Sequence, residues 1–156
     1  MADIGYTATT GGTVALVAAT AKTILGVKSH ANFGLSLTHT EVCFDGVTAS
    51  AVPVLFELCY CTWATQSPGT ASTSVTPTQE YGRAMAVGAT AAKNWTTEPT
   101  VLTVIVERLL TPNGGLIIYD WPLGREPDCA LAEGFVIRCT APAAVNVRSL
   151  LKFRRA

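Results

Sequence analysis

Charged side chains are scarce in this sequence: Asp, Glu, Lys and Arg make up 14% of its 156 residues, against about a quarter in an ordinary soluble domain. So few charges cannot coat an isolated globule, and part of the surface is expected to lie against neighbours. The two signs also cancel, with 11 Lys+Arg against 11 Asp+Glu. That balance removes the long-range positive field on which non-specific nucleic-acid binding depends, so DNA and RNA are not expected as ligands.

Long apolar runs are missing as well. Residues 4–21 and 58–79 carry no charge, but the first is interrupted by Thr and Gly and the second by Thr, Ser and Pro, unlike the ~20 apolar residues of a membrane span. No membrane partner is expected. The opening MADIGYTATTGG has no basic residue followed by an apolar core, so it does not read as a secretory signal, and folding in a cytoplasm is the expectation. Cys43, Cys59, Cys61, Cys129 and Cys139 are an odd set in a chain long enough to fold without staples, which predicts reduced and mostly buried thiols. There is no GxSxG, no Walker-type loop and no GxGxxG, and neither His30 nor His39 sits in a nucleophile motif. No catalytic residue and no cofactor is assigned, and the protein is not expected to be an enzyme.

What the sequence does contain is β-strand chemistry. No window keeps apolar residues at helical spacing, whereas β-branched residues and Gly, Pro, Asn and Asp punctuation recur throughout. Residues 35–45 (LSLTHTEVCFD) alternate, placing Thr38, Thr40, Val42 and Phe44 on one face and His39, Glu41, Cys43 and Asp45 on the other. Residues 51–63 give a second long strand with Val52, Val54, Phe56, Leu58 and Tyr60 on one side, Glu57 opposite, and Pro53 marking a strand start or an edge. Residues 101–110 and 116–121 flank Thr-Pro-Asn-Gly-Gly, which predicts a hairpin through Asn113-Gly114. Residues 133–140 and 145–153 are expected to form a closing pair, with Val145, Val147, Leu151 and Phe153 inward and Asn146, Arg148 and Lys152 outward. Shorter strands are expected over 13–19 and 23–28. The fold class is therefore all-β, a single-domain β-sandwich over 13–156, jelly-roll-like rather than immunoglobulin-like. Residues 1–12 read as an extended N-terminal arm, and residues 64–79 as a long Ser/Thr/Pro loop.

Several groupings invite a chemical reading, and each has a plainer one. His39, Glu41, Cys43 and Asp45 share a strand face and could converge on a metal ion, but polar residues recur at period two wherever one side of a sheet is wet, and that reading is preferred. Cys59 and Cys61 share a face without a CxxC to complete a zinc site. Asp120, Glu126, Asp128 and Glu133 surround PLGREPD, where paired carboxylates could act on a glycoside, yet such residues gather in turns anyway. Asn94-Trp95-Thr96 matches a glycosylation acceptor that has no meaning without secretion. Trp63, Trp95 and Trp121 could stack on a sugar if exposed together, and are otherwise core or interface content. Arg148, Lys152, Arg154 and Arg155 read as a basic strand edge, which either meets acidic partners or blunts an exposed strand.

Five segments together carry a resemblance: AKTILGVKSHANFG (21–34), PVLFELCYCTWATQSPGTASTSVTPTQ (53–79), WTTEP (95–99), LTPNGGLIIYDWPLG (110–124) and EGFVIRCTAPAAVNVRSLLKF (133–153). The chain resembles small structural proteins of tailed bacteriophages over roughly residues 13 to 153, most distinctively in EGFVIRCTAPAAVNVR. The resemblance implies a virion component, and comparison with decoration (cement) proteins, which often cluster as trimers, implies a homo-oligomer bound to the major capsid protein. It brings no catalytic residues. The interface residues expected on this reading are Ile4 and Tyr6 of the arm with Arg148, Lys152, Arg154 and Arg155, and the alternative is a tail-associated carbohydrate- or receptor-binding module.

Overall fold

The computed structural model describes residues 3–47 and 52–156. Among the described residues thirteen strands follow one another: β1 Gly5–Thr9, β2 Val14–Leu16, β3 Ala21–Lys28, β4 Leu35–Phe44, β5 Val54–Cys61, β6 Thr73–Val75, β7 Thr78–Tyr81, β8 Thr90–Lys93, β9 Leu102–Leu110, β10 Leu116–Asp120, β11 Asp128–Cys129, β12 Gly134–Thr140 and β13 Val145–Arg155. Met1, Ala2 and Ala51, which the expected arm and second strand included, lie outside the described residues. Among the described residues no helix is long and apolar enough to cross a membrane.

The strands form two antiparallel sheets. A seven-stranded sheet runs β10-β4-β13-β1-β7, with β11 also beside β4 and β2 beside β13, and a six-stranded sheet runs β6-β8-β3-β12-β5-β9. Tyr6, Leu16, Leu37, Phe44, Leu151 and Phe153 of the first meet Ile24, Phe56, Leu58, Phe135 and Ile137 of the second in one buried core. The all-β sandwich expected from the sequence is what the chain forms. With the short β2, β6, β7, β8 and β11 set aside, the order is β1-β13-β4-β10 in one sheet and β3-β12-β5-β9 in the other, so strands from the start of the chain pair with strands from its end.

Alternation explains β13, where Val147, Leu151 and Phe153 are buried and Asn146 and Arg148 are exposed. In β4 the phase changes once. Lys152 pairs with His39 and Phe153 with Leu37, so Thr38 is an extra residue, and the bulge sends Leu35 and Leu37 inward on one side and Thr40, Val42 and Phe44 inward on the other.

Four expectations are corrected. Residues 5–9 are not an arm: β1 lies between β13 and β7, and Tyr6 is 1% exposed and stacked on Phe153 with ring centroids 5.9 Å apart. Gly11-Gly12 does not release this segment, because Thr10 donates its N–H to the Ser149 carbonyl at 3.0 Å before the chain turns into β2. The sandwich therefore includes the segment assigned to an arm. The second correction concerns 101–121: the Asn113-Gly114 turn exists, with Gly114 at φ 64°, but β9 pairs with β5 and β10 with β4, so the turn is a corner between sheets and not a hairpin. Third, β12 and β13 do not pair with each other, since each is an interior strand of a different sheet. Fourth, β13 is no edge, and its basic residues project from the middle of a sheet.

The long polar loop has a structural task. To pass from β5 to β6 the chain must cross β12, β3 and β8, and residues 62–72 make that crossing over the outer face of the sheet. Beneath lies a second small core of Cys59, Cys61, Trp63, Ala92, Trp95 and Val136. Trp63 and Trp95 stack at 5.9 Å, Trp95 Nε1 donates to the Gln66 carbonyl at 2.9 Å, and Thr96 N–H donates to the Ala71 carbonyl at 2.8 Å. Gly26 makes the room: a Cβ there would sit 2.9 Å from Trp63 and 3.0 Å from Trp95.

Candidate interaction surface

The polar face of β4 is where the sequence offered metal ligands, and the sheet disperses them. His39 Nδ1 lies 2.6 Å from Asp120 Oδ1 on β10, with Glu41 Oε2 at 3.6 Å from Nε2. Asp45 is turned away at the end of the strand, accepting from Asn146 N–H and Nδ2 at 3.2 Å each. Among the described residues no group of three or more His, Cys, Asp and Glu is arranged to hold a metal ion. The row continues across the sheet, where Lys152, opposite His39, binds Glu80 at 2.5 Å.

The carboxylates around PLGREPD are similarly committed. Asp120 holds His39, Glu126 binds Arg154 at 2.8 Å and accepts from Gly124 N–H at 2.6 Å, and Glu133 accepts from Ala130 N–H at 3.2 Å. Backbone N–H donation from Glu126 itself and from Gly124, followed by the nearby Arg154 charge, holds the Glu126 carboxyl below its ordinary pKa. These are turn and ion-pair roles. On the outer face of the other sheet, Arg138 and the buried Glu57 form a bidentate pair at 2.8 and 2.9 Å, and Thr23 donates N–H and hydroxyl to Glu98 at 2.7 and 2.6 Å. Hydrogen bonding to Glu57 raises the Arg138 pKa.

The expected interface residues fare unevenly. Tyr6 is buried and Ile4 packs half-buried against the core. Arg154 is divided between Asp3 at 3.0 Å and Glu126, and Lys152 is held by Glu80. Arg155 donates to the Ala86 and Val87 carbonyls and lies over the Phe33 ring at 4.3 Å. Arg148 alone of this set is exposed. The tryptophans do not make a platform either, because Trp63 and Trp95 are buried under the 62–72 crossing while Trp121 pairs with Tyr119 and packs on the main core.

The surface that stands out was not singled out from the sequence. One lateral side of the sandwich is formed by β9 and β10, the edge strands joined by the 111–115 corner. Val101, Val104, Ile105, Leu109, Leu116 and Ile118, on or beside these strands, are 41% to 65% exposed. Register places Val104 and Leu109 on the outer face of the six-stranded sheet, opposite Cys59 and Leu55. Leu116 and Ile118 sit on the outer face of the other sheet, opposite Cys43 and Glu41. The opposite side of the sandwich is built from β6 and β7, whose residues are Thr, Ser, Val, Gln, Glu and Tyr. The signal is VLTVIVERLL itself, a run too apolar for a half-wet edge strand.

The arrangement defines a class, a two-sheet antiparallel sandwich whose edge strands β9 and β10 expose aliphatic side chains on the two outer faces. Comparison of the chain with family models, curated proteins and solved structures returns no match, so its function is argued from geometry and chemistry.

Proposed function

We propose that the protein is a structural component of a tailed-bacteriophage virion, a capsid decoration or minor capsid protein that folds in the host cytoplasm and stabilises the particle by binding copies of itself and the major capsid protein. One observation carries the reading: large aliphatic side chains are left in water on the β9/β10 side, which an isolated soluble domain avoids and a lattice subunit covers. The shortage of charge supports it, as does the commitment of most polar clusters to internal ion pairs and turns. Its work is adhesion. Nucleic acid and membrane are not partners in this reading. The alternative, a tail-associated carbohydrate- or receptor-binding module, lacks the support of an exposed tryptophan platform, since Trp63 and Trp95 are buried and Trp121 packs on the main core.

The test is quantitative mass spectrometry of density-purified particles from a phage encoding the chain, alongside particles from which the gene has been deleted. Copies in proportion to the major capsid protein, and deletion particles that open at lower temperature, are expected. Absence from purified particles, or a handful of copies confined to the tail, defeats the proposal.

A further inference from the structure

We infer that the outer face of the seven-stranded sheet holds a binding site for one neutral sugar unit, the pyranose ring of a glycan. The inference goes beyond the structural role proposed above and does not depend on it, since the site lies within a single chain. Three features carry it: a hollow built into the sheet, the pairing of the charges around it, and the aromatic ring at its rim.

A regular sheet leaves no hollow, because neighbouring strands lie about 4.7 to 4.9 Å apart and their side chains stand side by side. Here the regularity fails twice at one level. The β4–β13 ladder shifts between Lys152 and Phe153, where Thr38 is the extra residue, and the β1–β7 ladder shifts between Gly5 and Tyr6, the partner of Phe153. Such shifts re-aim side chains and open the ladder. Between them lies a cavity of about 250 Å³, lined by Thr38, His39 and Asp120 on one side and by Gly5, Glu80 and Tyr81 on the other, with Lys152 in the middle. Gly5 is part of the construction: a Cβ there would fall 2.1 Å from Tyr81 Cε1, so only glycine lets that ring lie across β1.

The charges select the ligand. Charged residues are scarce in this chain, yet Asp120, Glu80 and Lys152 gather at one hollow, and they do so in pairs. Lys152 Nζ binds Glu80 Oε1 at 2.5 Å, and Asp120 Oδ1 lies 2.6 Å from His39 Nδ1. An anion entering the hollow meets two carboxylates, and a cation must displace Lys152 or His39 from theirs. A neutral polyol does neither. Each carboxylate keeps a second oxygen as acceptor, and the Lys152 ammonium has two N–H groups beyond the one given to Glu80. Interleaved donors and acceptors suit hydroxyls, each of which is both at once.

Tyr81 supplies an apolar wall. Its ring is 47% exposed at the rim, and the negative face of an aromatic ring attracts the C–H face that a pyranose presents. The volume lies below the ~300 to 1,000 Å³ typical of pockets for drug-sized ligands, which suits one ring with the rest of the glycan left in solvent.

The test is titration of the nitrogen-15-labelled full chain with the methyl glycosides of glucose, galactose, mannose, N-acetylglucosamine and N-acetylgalactosamine, followed by amide NMR. At least one should give saturable shifts confined to residues 5–6, 38–39, 80–81, 120 and 152–153, while inorganic phosphate and ethylammonium give none there. The double variant Tyr81→Ala/Asp120→Ala should weaken binding about tenfold or more, and Leu131→Ser, at an exposed aliphatic elsewhere, should bind as wild type. Glu80→Ala/Tyr81→Ala gives the same reading should loss of Asp120 disturb β10, which circular dichroism monitors. No saturable shift with any glycoside, or saturable binding that survives both double variants, overturns the site. Phosphate or ethylammonium held there instead overturns the neutral ligand. The virion role stands or falls separately, on the particle composition.

Discussion

Two uncharged, threonine-rich stretches of this chain have different fates. Residues 4–21 and 58–79 both lack charge, the first rich in Thr, Ala and Gly and the second in Thr, Ser and Pro. The first enters the seven-stranded sheet as β1 and β2, with Tyr6, Ala8, Val14 and Leu16 in the main core. The second completes β5 at residues 58–61, and its middle part, residues 62–72, is laid over the outer face of the six-stranded sheet, joined to it by the tryptophan stack and a few backbone hydrogen bonds. Composition sets neither outcome. What decides is spacing: Tyr6 and Ala8 alternate with threonines that suit the other face of a strand, whereas the 64–72 segment repeats small polar residues and offers no side chain large enough to anchor a strand. The first stretch should therefore be part of the folding unit and the second a covering of it.

Removing part of the first stretch is the severest way to test that division. Deletion of residues 3–10 takes out the strand between β13 and β7, leaves the β13 edge unpaired and strips Tyr6 from Phe153. The expected result is loss of the cooperative thermal transition. The single change Tyr6→Ala should cost about 3 to 5 kcal/mol, a large share of the roughly 5 to 15 kcal/mol available to a domain. A truncated chain that melts at the wild-type temperature would return residues 5–9 to the status of an arm.

The second stretch is challenged at Trp95, whose ring it covers. Trp95→Ala empties a buried site and removes the Nε1 hydrogen bond to Gln66, at a cost of about 3 to 5 kcal/mol if the site cannot collapse. Because the 62–72 crossing is the more adaptable neighbour, the observed loss should fall at the low end of that range. Its amides should lose hydrogen-exchange protection while those of β1 and β13 keep theirs. Uniform loss across both sheets would mean that the crossing is as integral as β1. A smaller effect comes from below: in Gly26→Ala the new methyl meets Trp63, Trp95 and Val136, and overpacking of this kind costs about 1 to 3 kcal/mol, read as a lowered unfolding midpoint with the fold retained.

How far the sequence shows all this depends on the range of the interactions. Alternation places the inward residues of β13 and most of those of β5, and Pro53 marks the start of β5, because side-chain direction along a strand is a local property. Pairing is not local. Asn113-Gly114 is a turn signal that a corner between sheets uses as readily as a hairpin does, and nothing near it says that β9 will join β5 instead of β10. Glu57 and Arg138, or His39 and Asp120, are 81 residues apart and become partners only through register. The exposed aliphatics of β9 were legible in principle, since VLTVIVERLL is richer in aliphatics than a strand buried on one face requires.

The smallest effect, absent at neutral pH, separates the two stretches most finely. Cys59 and Cys61 lie beneath the 62–72 crossing, Cys139 lies in the main core, and Cys43 is only partly buried. Burial raises the Cys59 and Cys61 thiols from 9.0 to about 11 and pushes Cys139 up as well. Between those values the unfolded chain has released protons that the folded one still binds, so the contribution of these thiols to stability is whole below about pH 9 and declines as the pH climbs towards 11. At pH 8 every buried thiol is protonated, and alkylation reports opening alone. If the second stretch is a cover, iodoacetamide should label Cys43 first, Cys59 and Cys61 at the rate at which the crossing lifts, and Cys139 only at the rate of global unfolding, with Trp95→Ala accelerating the middle step far more than the last. Mass spectrometry of timed, quenched samples gives the order. Cys59, Cys61 and Cys139 labelled at one common rate would show that the small core beneath the crossing opens only when the whole sandwich does.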